Sequence, residues 1–360
     1  MSEPIFSSAD LASARADMDA LFSYQKPRRV PNGAMCFGQD FAIRNTGQDV
    51  ADLFHDPAAF HEAVCWTAKQ YQWHPFLPCS SFSVLGCLDF GGTMTYPTRN
   101  GEYFVPAGHP VADEGDVAKL SLPDPKTTGD IPRQLAFGRL QQAAGLPVPF
   151  MARSPFGMAP DMCGLTRFMT WLIQKPELCE RMMEIAYRHT LQVLDVWVET
   201  FGVENLQVWM TTPIESNQLI SPKHMETFAM PYYIKYGEHL KTIGIRQFAI
   251  HLCGEQNPNL PVLAEADPWP HPAILSFGAE VEIERAAQLF PQDIIFGNIE
   301  TVLLEKGRPG QVFDACQNLL EKGKRIEGGF ILAPSCDTPV FSPPVNIYAM
   351  TRAVAEYGAY

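Results

Sequence analysis

The sequence predicts an α/β protein with a (β/α)8 TIM-barrel fold, an N-terminal extension and a β-hairpin insertion. After residue 132, six short apolar runs alternate with longer segments of helical spacing, which indicates parallel strands joined by helices. Weaker strand-like runs precede residue 132 and supply the remaining strands of a closed barrel. The length of 360 residues fits one large domain as easily as two small ones. The continuous alternation favours a single domain over residues 1–360.

The N-terminal extension is expected to be helical and to cover residues 1–30. Residues 8–24 have helical spacing, and Ser8 or Asp10 could cap the helix because short polar side chains accept hydrogen bonds from free amides. No basic stretch followed by an apolar core is present at the N-terminus, so we expect no signal peptide.

Three further elements are predicted before the insertion. Residues 29–38 form a short apolar segment suited to a first strand. Asp56 and Pro57 are expected to open a helix that runs to about Gln72, because proline is favoured in the first helical turn. Residues 80–88 form an apolar run suited to another strand.

Residues 90–130 read as an insertion that contains a β-hairpin. The segments 93–99 and 102–105 are separated by Asn100-Gly101, which is the residue pair favoured in a tight type I′ turn.

The strands expected after residue 132 are short apolar runs, and they cover 147–153, 205–210, 245–253, 273–277, 293–298 and 325–332. The helices between and after them have apolar residues at helical spacing, and they cover 164–174, 176–202, 222–243, 259–266, 280–290, 309–323 and 344–357.

Charge and hydropathy argue against two kinds of partner. The net charge of −13 disfavours nucleic acid, and it disfavours a polyanionic substrate unless a local basic pocket exists. No uncharged run reaches the roughly 18–20 residues that span a bilayer. We therefore expect neither nucleic acid nor a membrane as a partner.

The nine cysteines are an odd number in a long chain, which indicates reduced thiols and a cytoplasmic protein. Most of them are expected to be small buried hydrophobic residues, and these are Cys36, Cys65, Cys87, Cys163, Cys179 and Cys316.

Three other residues at predicted strand ends carry the chemistry. His251 and Cys253 are two positions apart, so they share one face of a strand. Cys336 follows the last predicted strand. Strands far apart in sequence converge at the carboxyl end of a barrel, where TIM-barrel active sites lie.

One histidine and two cysteines would bind zinc and leave its fourth position open, as in catalytic zinc sites. A zinc-bound thiol is deprotonated at neutral pH, so activation of a substrate thiol is the expected task. Taken singly, each residue could instead serve packing. The shared face of His251 and Cys253 favours ligation.

Four more polar residues at strand ends complete the predicted site. We expect catalytic roles for Glu215 and Asp337 and cofactor binding for Asn298 and Glu300. Four roles stay open for each of these residues: a fourth metal ligand, a residue that supports a ligand, an acid/base group, or a solvated loop residue.

At these residues the chain resembles the uroporphyrinogen decarboxylase superfamily, and within it the corrinoid-dependent methyltransferases such as the methylcobamide:coenzyme M methyltransferases. Residues 250–254 resemble that branch's zinc motif, and residues 330–336 resemble the segment with its last cysteine ligand. Residues 219–222 with 230–233 resemble the superfamily's Leu-Ile-Ser-Pro helix start, and residues 296–299 resemble its late Gly-Asn strand. The resemblance covers residues 130–358 well and the N-terminal third loosely.

This resemblance implies a zinc ion and methyl transfer involving a corrinoid, methylcobalamin, presented by a partner corrinoid protein. The acceptor would be a small molecule such as a thiol. The segment after Arg28-Arg29 lacks the downstream arginine of the decarboxylase motif, which argues against porphyrin decarboxylation. Glu300-Thr301 stands where the family often has Asp-Pro.

Other functions stay open. The zinc could polarise a methylated donor and pass its methyl group to cob(I)alamin. A metal-free decarboxylase of the same fold and a non-catalytic corrinoid- or metal-binding protein are further alternatives. Coenzyme M, another thiol and tetrahydrofolate are all open as methyl acceptors.

Overall fold

Six parallel strands form one sheet in the computed structural model, which describes residues 4–34, 39–53, 55–77 and 85–360. In all, the described residues form eight strands: β1 (Thr93–Thr95), β2 (Val105–Gly108), β3 (Val148–Arg153), β4 (Leu206–Thr212), β5 (Phe248–Leu252), β6 (Ile274–Phe277), β7 (Ile294–Phe296) and β8 (Phe330–Ile331). Strands β3 to β8 lie side by side in chain order, whereas β1 and β2 form a separate antiparallel pair.

The helices surround this sheet and follow its strands. They are α1 (Ser8–Leu21), α2 (Gln39–Asn45), α3 (Val50–Leu53), α4 (Pro57–Gln70), α5 (Glu114–Val117), α6 (Ile131–Ala143), α7 (Pro155–Cys163), α8 (Leu165–Gln174), α9 (Pro176–Phe201), α10 (Pro222–His224), α11 (Met230–Ile243), α12 (Leu260–Ala266), α13 (Ile283–Leu289), α14 (Thr301–Lys306), α15 (Pro309–Gly323) and α16 (Pro344–Tyr357). A π-helical turn, Met225–Ala229, joins α10 to α11.

The parallel sheet has the inner and outer faces of a TIM barrel, so the expected fold class is confirmed. Side chains of alternate strand residues fill the interior, and they include Met151, Trp209, Ala249, Phe296 and Ile331. The intervening strand residues pack against the helices. Met18 and Leu21 of α1 join the interior cluster, so α1 closes the amino end of the barrel. The opposite, carboxyl end, which we call the mouth, receives the loops that follow the strands.

The first predicted strand contributes a short pairing beside β8. Asn32 pairs in parallel with Leu332, and the Gly33 amide donates to the Leu332 carbonyl over 2.7 Å. Residues 35–38 of this prediction lie outside the described residues. The strand predicted over 80–88 lies outside them up to residue 84, and it is wrong for 85–88, which form turns.

The first helix begins at Ser8 as predicted, but its cap is neither of the two predicted residues. Ser7 is the N-cap, and its hydroxyl accepts from the Asp10 amide while the Asp10 carboxylate accepts from the Ser7 amide. Asp10 is therefore the reciprocal partner of a capping box and not the cap. The helix after Asp56 is confirmed, with Pro57 in its first turn.

The insertion forms a hairpin, but its turn is longer than predicted. Thr95 pairs with Val105, so residues 96–104 connect the strands. The predicted two-residue turn at Asn100-Gly101 is wrong. The Asn100 side chain instead binds the start of α3, where it accepts a hydrogen bond from the Val50 amide over 3.0 Å. Gly101 has φ +92° and lies against the ring of Phe341, so the insertion tip reaches the loop after β8.

The helices predicted after residue 132 are confirmed. From residue 131 onward, three more are present that the sequence analysis missed: α6, α7 and α14. Helix α7 starts at Ser154, whose hydroxyl accepts from the Gly157 amide over 2.8 Å. No helix within the described ranges combines the length and the apolar character that a membrane span requires.

Candidate metal centre

His251 lies on the interior face of the barrel, close to the mouth. In the sheet register it stands between Thr211 of β4 and Ser276 of β6. Its neighbours Ile250 and Leu252 point outward into the helix-packed core. The residue is 4% exposed, so β5 holds its imidazole in a largely dry position.

Cys253 and Cys336 converge on this imidazole. Cys253 follows β5 on the same face, and Cys336 arrives from the loop after β8, where Pro334 still pairs with Ile299. The possible ligand atoms of the three residues all lie within 4.8 Å of one another. Tetrahedral zinc ligands stand about 3–4 Å apart, so the group has nearly the size that zinc requires.

The two nitrogens of the His251 imidazole differ in their hydrogen-bond contacts. Its Nδ1 atom lies 3.0 Å from the Ser276 hydroxyl oxygen. Its Nε2 atom is buried, and no hydrogen-bond partner is found for it within the described part of the chain. A buried, unpartnered nitrogen is costly unless it binds something, and a metal ion is the partner that suits it beside two sulfurs.

The two thiols share a hydrogen bond that separates their acidities. The hydrogen bond from Cys336 lowers the pKa of Cys253. The same bond, together with burial, raises the pKa of Cys336 to about 12. Cys253 is thus the more readily ionised sulfur, and the donor set fits a thiophilic divalent cation.

Glu215 lies in the loop after β4 and is fully buried. Its carboxylate accepts hydrogen bonds from the hydroxyls of Ser154 and of Tyr233, the latter over 3.2 Å. Burial raises the pKa of Glu215 to about 7 despite these bonds. Its charge opposes the lowering of the pKa of Cys253, and the carboxyl is not a member of the metal-ligand group.

Asp337 follows Cys336 directly, in the loop after β8. Its Oδ1 atom is buried without a hydrogen-bond partner in the described ranges. Burial and the charge of Asp40 raise the pKa of Asp337 well above its usual range. The sequence analysis missed Asp40, which lies on α2 and gives no pattern that links it to Asp337.

The two remaining predicted residues lie apart from the metal-ligand group. The Asn298 side-chain amide donates to the carbonyls of Gly278 and Val281 over 2.9 and 2.8 Å, which ties the end of β7 to the loop after β6. Glu300 is exposed at the start of α14. Neither residue belongs to the group formed by His251 and the two cysteines.

Comparison with known proteins identifies the family. The model of the uroporphyrinogen decarboxylase (URO-D) family matches residues 17–357. The chain belongs to the URO-D family. The superfamily expected from the sequence is therefore confirmed.

The relatives of this URO-D family member include methyltransferases. Two proteins called methylcobamide:CoM methyltransferase MtaA, one from Methanosarcina barkeri (strain Fusaro / DSM 804) and one from Methanosarcina barkeri, are each 24% identical over 227 residues. The match covers 61% of this chain and 62% of the relatives' own length. A solved methyltransferase from Methanosarcina mazei has a TM-score of 0.78 at 19% identity, covering 96% of this chain and 98% of that one. This last likeness shows that the fold is shared.

Proposed function

We propose that the chain is a zinc-dependent methyltransferase that moves a methyl group between a corrinoid and a small-molecule acceptor such as a thiol. The corrinoid is methylcobalamin carried by a partner corrinoid protein. The observation that supports this most is the convergence of His251, Cys253 and Cys336, together with a buried imidazole nitrogen that has no partner among the described residues. The similarity to methylcobamide:CoM methyltransferases points to the same chemistry.

His251, Cys253 and Cys336 would hold the metal through Nε2 and two sulfurs. Bound zinc would supply a Lewis acid that keeps an acceptor thiol ionised at neutral pH. Helix α1 closes the other end of the barrel, so reactants approach from the mouth.

Glu215 is proposed to take up the acceptor's proton. In the overall reaction the acceptor sulfur bonds to the methyl carbon, and the cobalt–carbon bond breaks with its electron pair left on cobalt. The thiol proton leaves the sulfur and needs a base. A carboxyl with a pKa of about 7 both accepts and releases protons at neutral pH.

Glu300 and Asn298 are proposed to act at the corrinoid side of the mouth. Glu300 is exposed where β7 leads into α14, which leaves its carboxylate accessible to a large ligand. Asn298 would act by holding the loop after β6 through its two amide hydrogen bonds. We also propose that residues 1–360 act as one domain and in the cytoplasm; the cysteines within the described ranges are free thiols.

The decarboxylase alternative has less support. Arg29 donates to the carbonyls of Val354 and Ala355, and Arg28 donates to Ser13 on α1, which lies at the amino end of the barrel. At the mouth, Arg153 of β3 is paired with Asp161. These arginines are therefore engaged elsewhere and are poorly suited to hold a substrate's carboxylates.

The function can be tested by following the absorption spectrum of methylcobalamin mixed with zinc-loaded protein and a panel of thiols. We expect thiol-dependent demethylation, and a loss of at least about a hundredfold in Cys253→Ala. Methylated ethers, sulfides and amines mixed with cob(I)alamin test the donor direction. Failure of both assays with fully loaded protein would exclude the proposed function.

A further inference from the structure

Two buried side-chain amides join the loop after β4 to the loop after β5. The Gln256 amide donates a hydrogen bond to the Cys253 carbonyl over 2.9 Å. The Asn259 amide donates to the Gln256 side-chain oxygen over 2.8 Å and to the Glu215 carbonyl over 2.9 Å. We call Gln256 and Asn259 the amide bridge. It connects the backbone of a candidate metal ligand to the backbone of the proposed base, although the two lie in different loops.

The hydrogen bonds of Asn259 fix the orientation of its amide. Gln256 and Asn259 are both fully buried. Both N–H groups of the Asn259 amide are used, and its oxygen accepts from the Asn217 side-chain amide over 2.9 Å. If its nitrogen and oxygen changed places, the oxygen would face the Glu215 carbonyl oxygen. A buried polar group that is satisfied in this way holds its surroundings rigid.

Asn259 gives up a local role to make these contacts. It is the N-cap residue of α12, yet its side chain makes no capping hydrogen bond. Asparagine is among the residues favoured at this position because its side chain accepts from the free amides of the first helical turn. Here the side chain reaches the loop after β4 instead, so a contact between loops replaces a stabilising contact within the helix.

The backbones of the two loops are packed closely at the same junction. The Asn217 backbone amide donates to the Glu255 carbonyl over 2.8 Å. Gly254, which follows Cys253, has φ +66°, and a Cβ atom there would lie 2.9 Å from the Ser216 hydroxyl oxygen. We therefore expect a displacement of one loop to move the other.

We propose that Gln256 and Asn259 are positioning residues that fix Glu215 relative to Cys253, and thereby fix the proposed base relative to the metal. They act through two backbone carbonyls and do not touch the reacting atoms. Catalytic groups must keep their geometry to within about 0.5 Å, and a misplacement of about 1 Å can cost a hundredfold in rate. The roles of base and metal ligand rest on the proposed function; the link between the loops rests on the hydrogen bonds.

Zinc affinity tests whether the bridge acts on Cys253. Gln256→Met keeps the size of the side chain and removes its donors. Asn259→Ser keeps a residue favoured at a helix N-cap but has one hydrogen to donate in place of two. Each should weaken zinc binding to the full chain by about tenfold, measured by competition with a chromophoric chelator.

Gln207→Met is the matched control. Gln207 is buried near the start of β4, at the opposite end of the barrel, and it donates to the Phe76 carbonyl over 3.1 Å. Its substitution removes a comparable hydrogen bond and should leave zinc affinity within about twofold of wild type. Wild-type affinity in Asn259→Ser, or an equal loss in Gln207→Met, would overturn the proposal.

The double variant tests whether the two amides act as one unit. Either substitution alone breaks the link, so Gln256→Met combined with Asn259→Ser should bind zinc no more than about threefold more weakly than the weaker single variant. Losses that multiply to about a hundredfold would show two separate roles and contradict the bridge.

The rate of methyl transfer tests whether the bridge also acts on Glu215. At saturating zinc, Asn259→Ser should lower kcat by at least about tenfold and leave KM for the acceptor thiol within about threefold, because the base is displaced while the metal still binds the thiol. Gln207→Met should keep both constants. A wild-type kcat in Asn259→Ser would contradict the positioning of Glu215.

A measurement without metal or co-substrate separates this proposal from the proposed function. Hydrogen–deuterium exchange of the metal-free full chain reports the protection of backbone amides in residues 213–220 and 253–260. In Asn259→Ser both segments should exchange at least about tenfold faster than in wild type, and in Gln207→Met neither should change. Unchanged protection in Asn259→Ser would overturn the amide bridge, whatever the zinc content or activity. Faster exchange, in a protein that transfers no methyl group, would support the bridge and exclude the proposed function alone.

Discussion

The Ser276 hydroxyl oxygen lies 3.0 Å from His251 Nδ1, and both side chains are buried on neighbouring barrel strands. This contact holds the imidazole plane in place, and it leaves Nε2 as the nitrogen without a hydrogen-bond partner among the described residues. Metal-binding histidines depend on such a partner for their orientation. We therefore expect Ser276 to position His251 in the candidate metal centre.

Ser276→Ala should weaken zinc binding by about 10-fold to 100-fold, because the imidazole loses the group that orients it. Competition with a chromophoric chelator measures the affinity. Ser342→Ala removes another buried hydroxyl, one without a partner within the described residues, and should leave zinc affinity unchanged. Equal affinities in wild type and Ser276→Ala would show that the serine has no positioning role.

Glu215 should give methyl transfer an ionisation near or below pH 7, since burial raises its pKa to about 7 and bound zinc would lower that value. The rate should rise with pH as the carboxyl becomes able to accept a proton. In Glu215→Gln this ionisation should disappear, with about a hundredfold loss of rate. Methyl-transfer rates of wild type and Glu215→Gln, measured between pH 5.5 and 9, test this prediction.

Tyr233→Phe is a finer test of the same carboxyl. The Tyr233 hydroxyl donates to Glu215 and so favours its ionised form. Its removal should move the ionisation to higher pH and leave the plateau rate within about threefold. An unchanged pH profile in both variants would assign the proton transfer to another group.

His271 should make folding stability depend on pH at the amino end of the barrel. Its Nδ1 atom lies 2.8 Å from the buried Asp293 carboxylate, and this contact raises the pKa of His271. A raised pKa means that the stabilisation is complete below about pH 6.5 and is lost as the pH rises through the folded-state pKa.

His271→Gln should lower the free energy of unfolding at pH 6 by about 1–3 kcal/mol. The variant should also lose the decline in stability that wild type shows at higher pH. Urea unfolding at a series of pH values from 5.5 to 9 measures both effects. If the free energy of unfolding changed with pH in the same way in wild type and in His271→Gln, His271 would not be the source of the pH dependence.

Gly237 on α11 should tolerate no side chain. A Cβ atom there would overlap the backbone carbonyl of Pro268. Gly237→Ala should therefore lower the free energy of unfolding by about 1–3 kcal/mol. Gly310→Ala, at a helical position with open space around it, should be neutral or slightly stabilising. Thermal unfolding of the two variants provides the comparison.

Much of the fold and part of the site follow from periodicity. The period of two in a strand puts His251 and Cys253 on one face, and the strand–helix alternation predicts a barrel in which a late cysteine can reach them. Ser276 could have been found by the same rule, because it is on the inward face of the adjacent strand.

Other features depend on contacts that no local pattern records. Burial and the charge of Asp40, which is remote in the chain, raise the pKa of Asp337, and Asn100 binds α3 in place of forming a tight turn. Glu215 looked like a loop residue because its burial depends on Ser154 and Tyr233, which come from other elements. Such contacts are set by tertiary packing, which overrides local propensity.

The zinc content of purified protein variants tests the central claim most directly. Wild type and Cys316→Ala, which alters a buried thiol in α15, should each bind one zinc per chain. Cys253→Ala and Cys336→Ala should remain folded and lose most of the metal, because each removes a thiolate ligand. Full zinc occupancy in both of these variants would contradict the account.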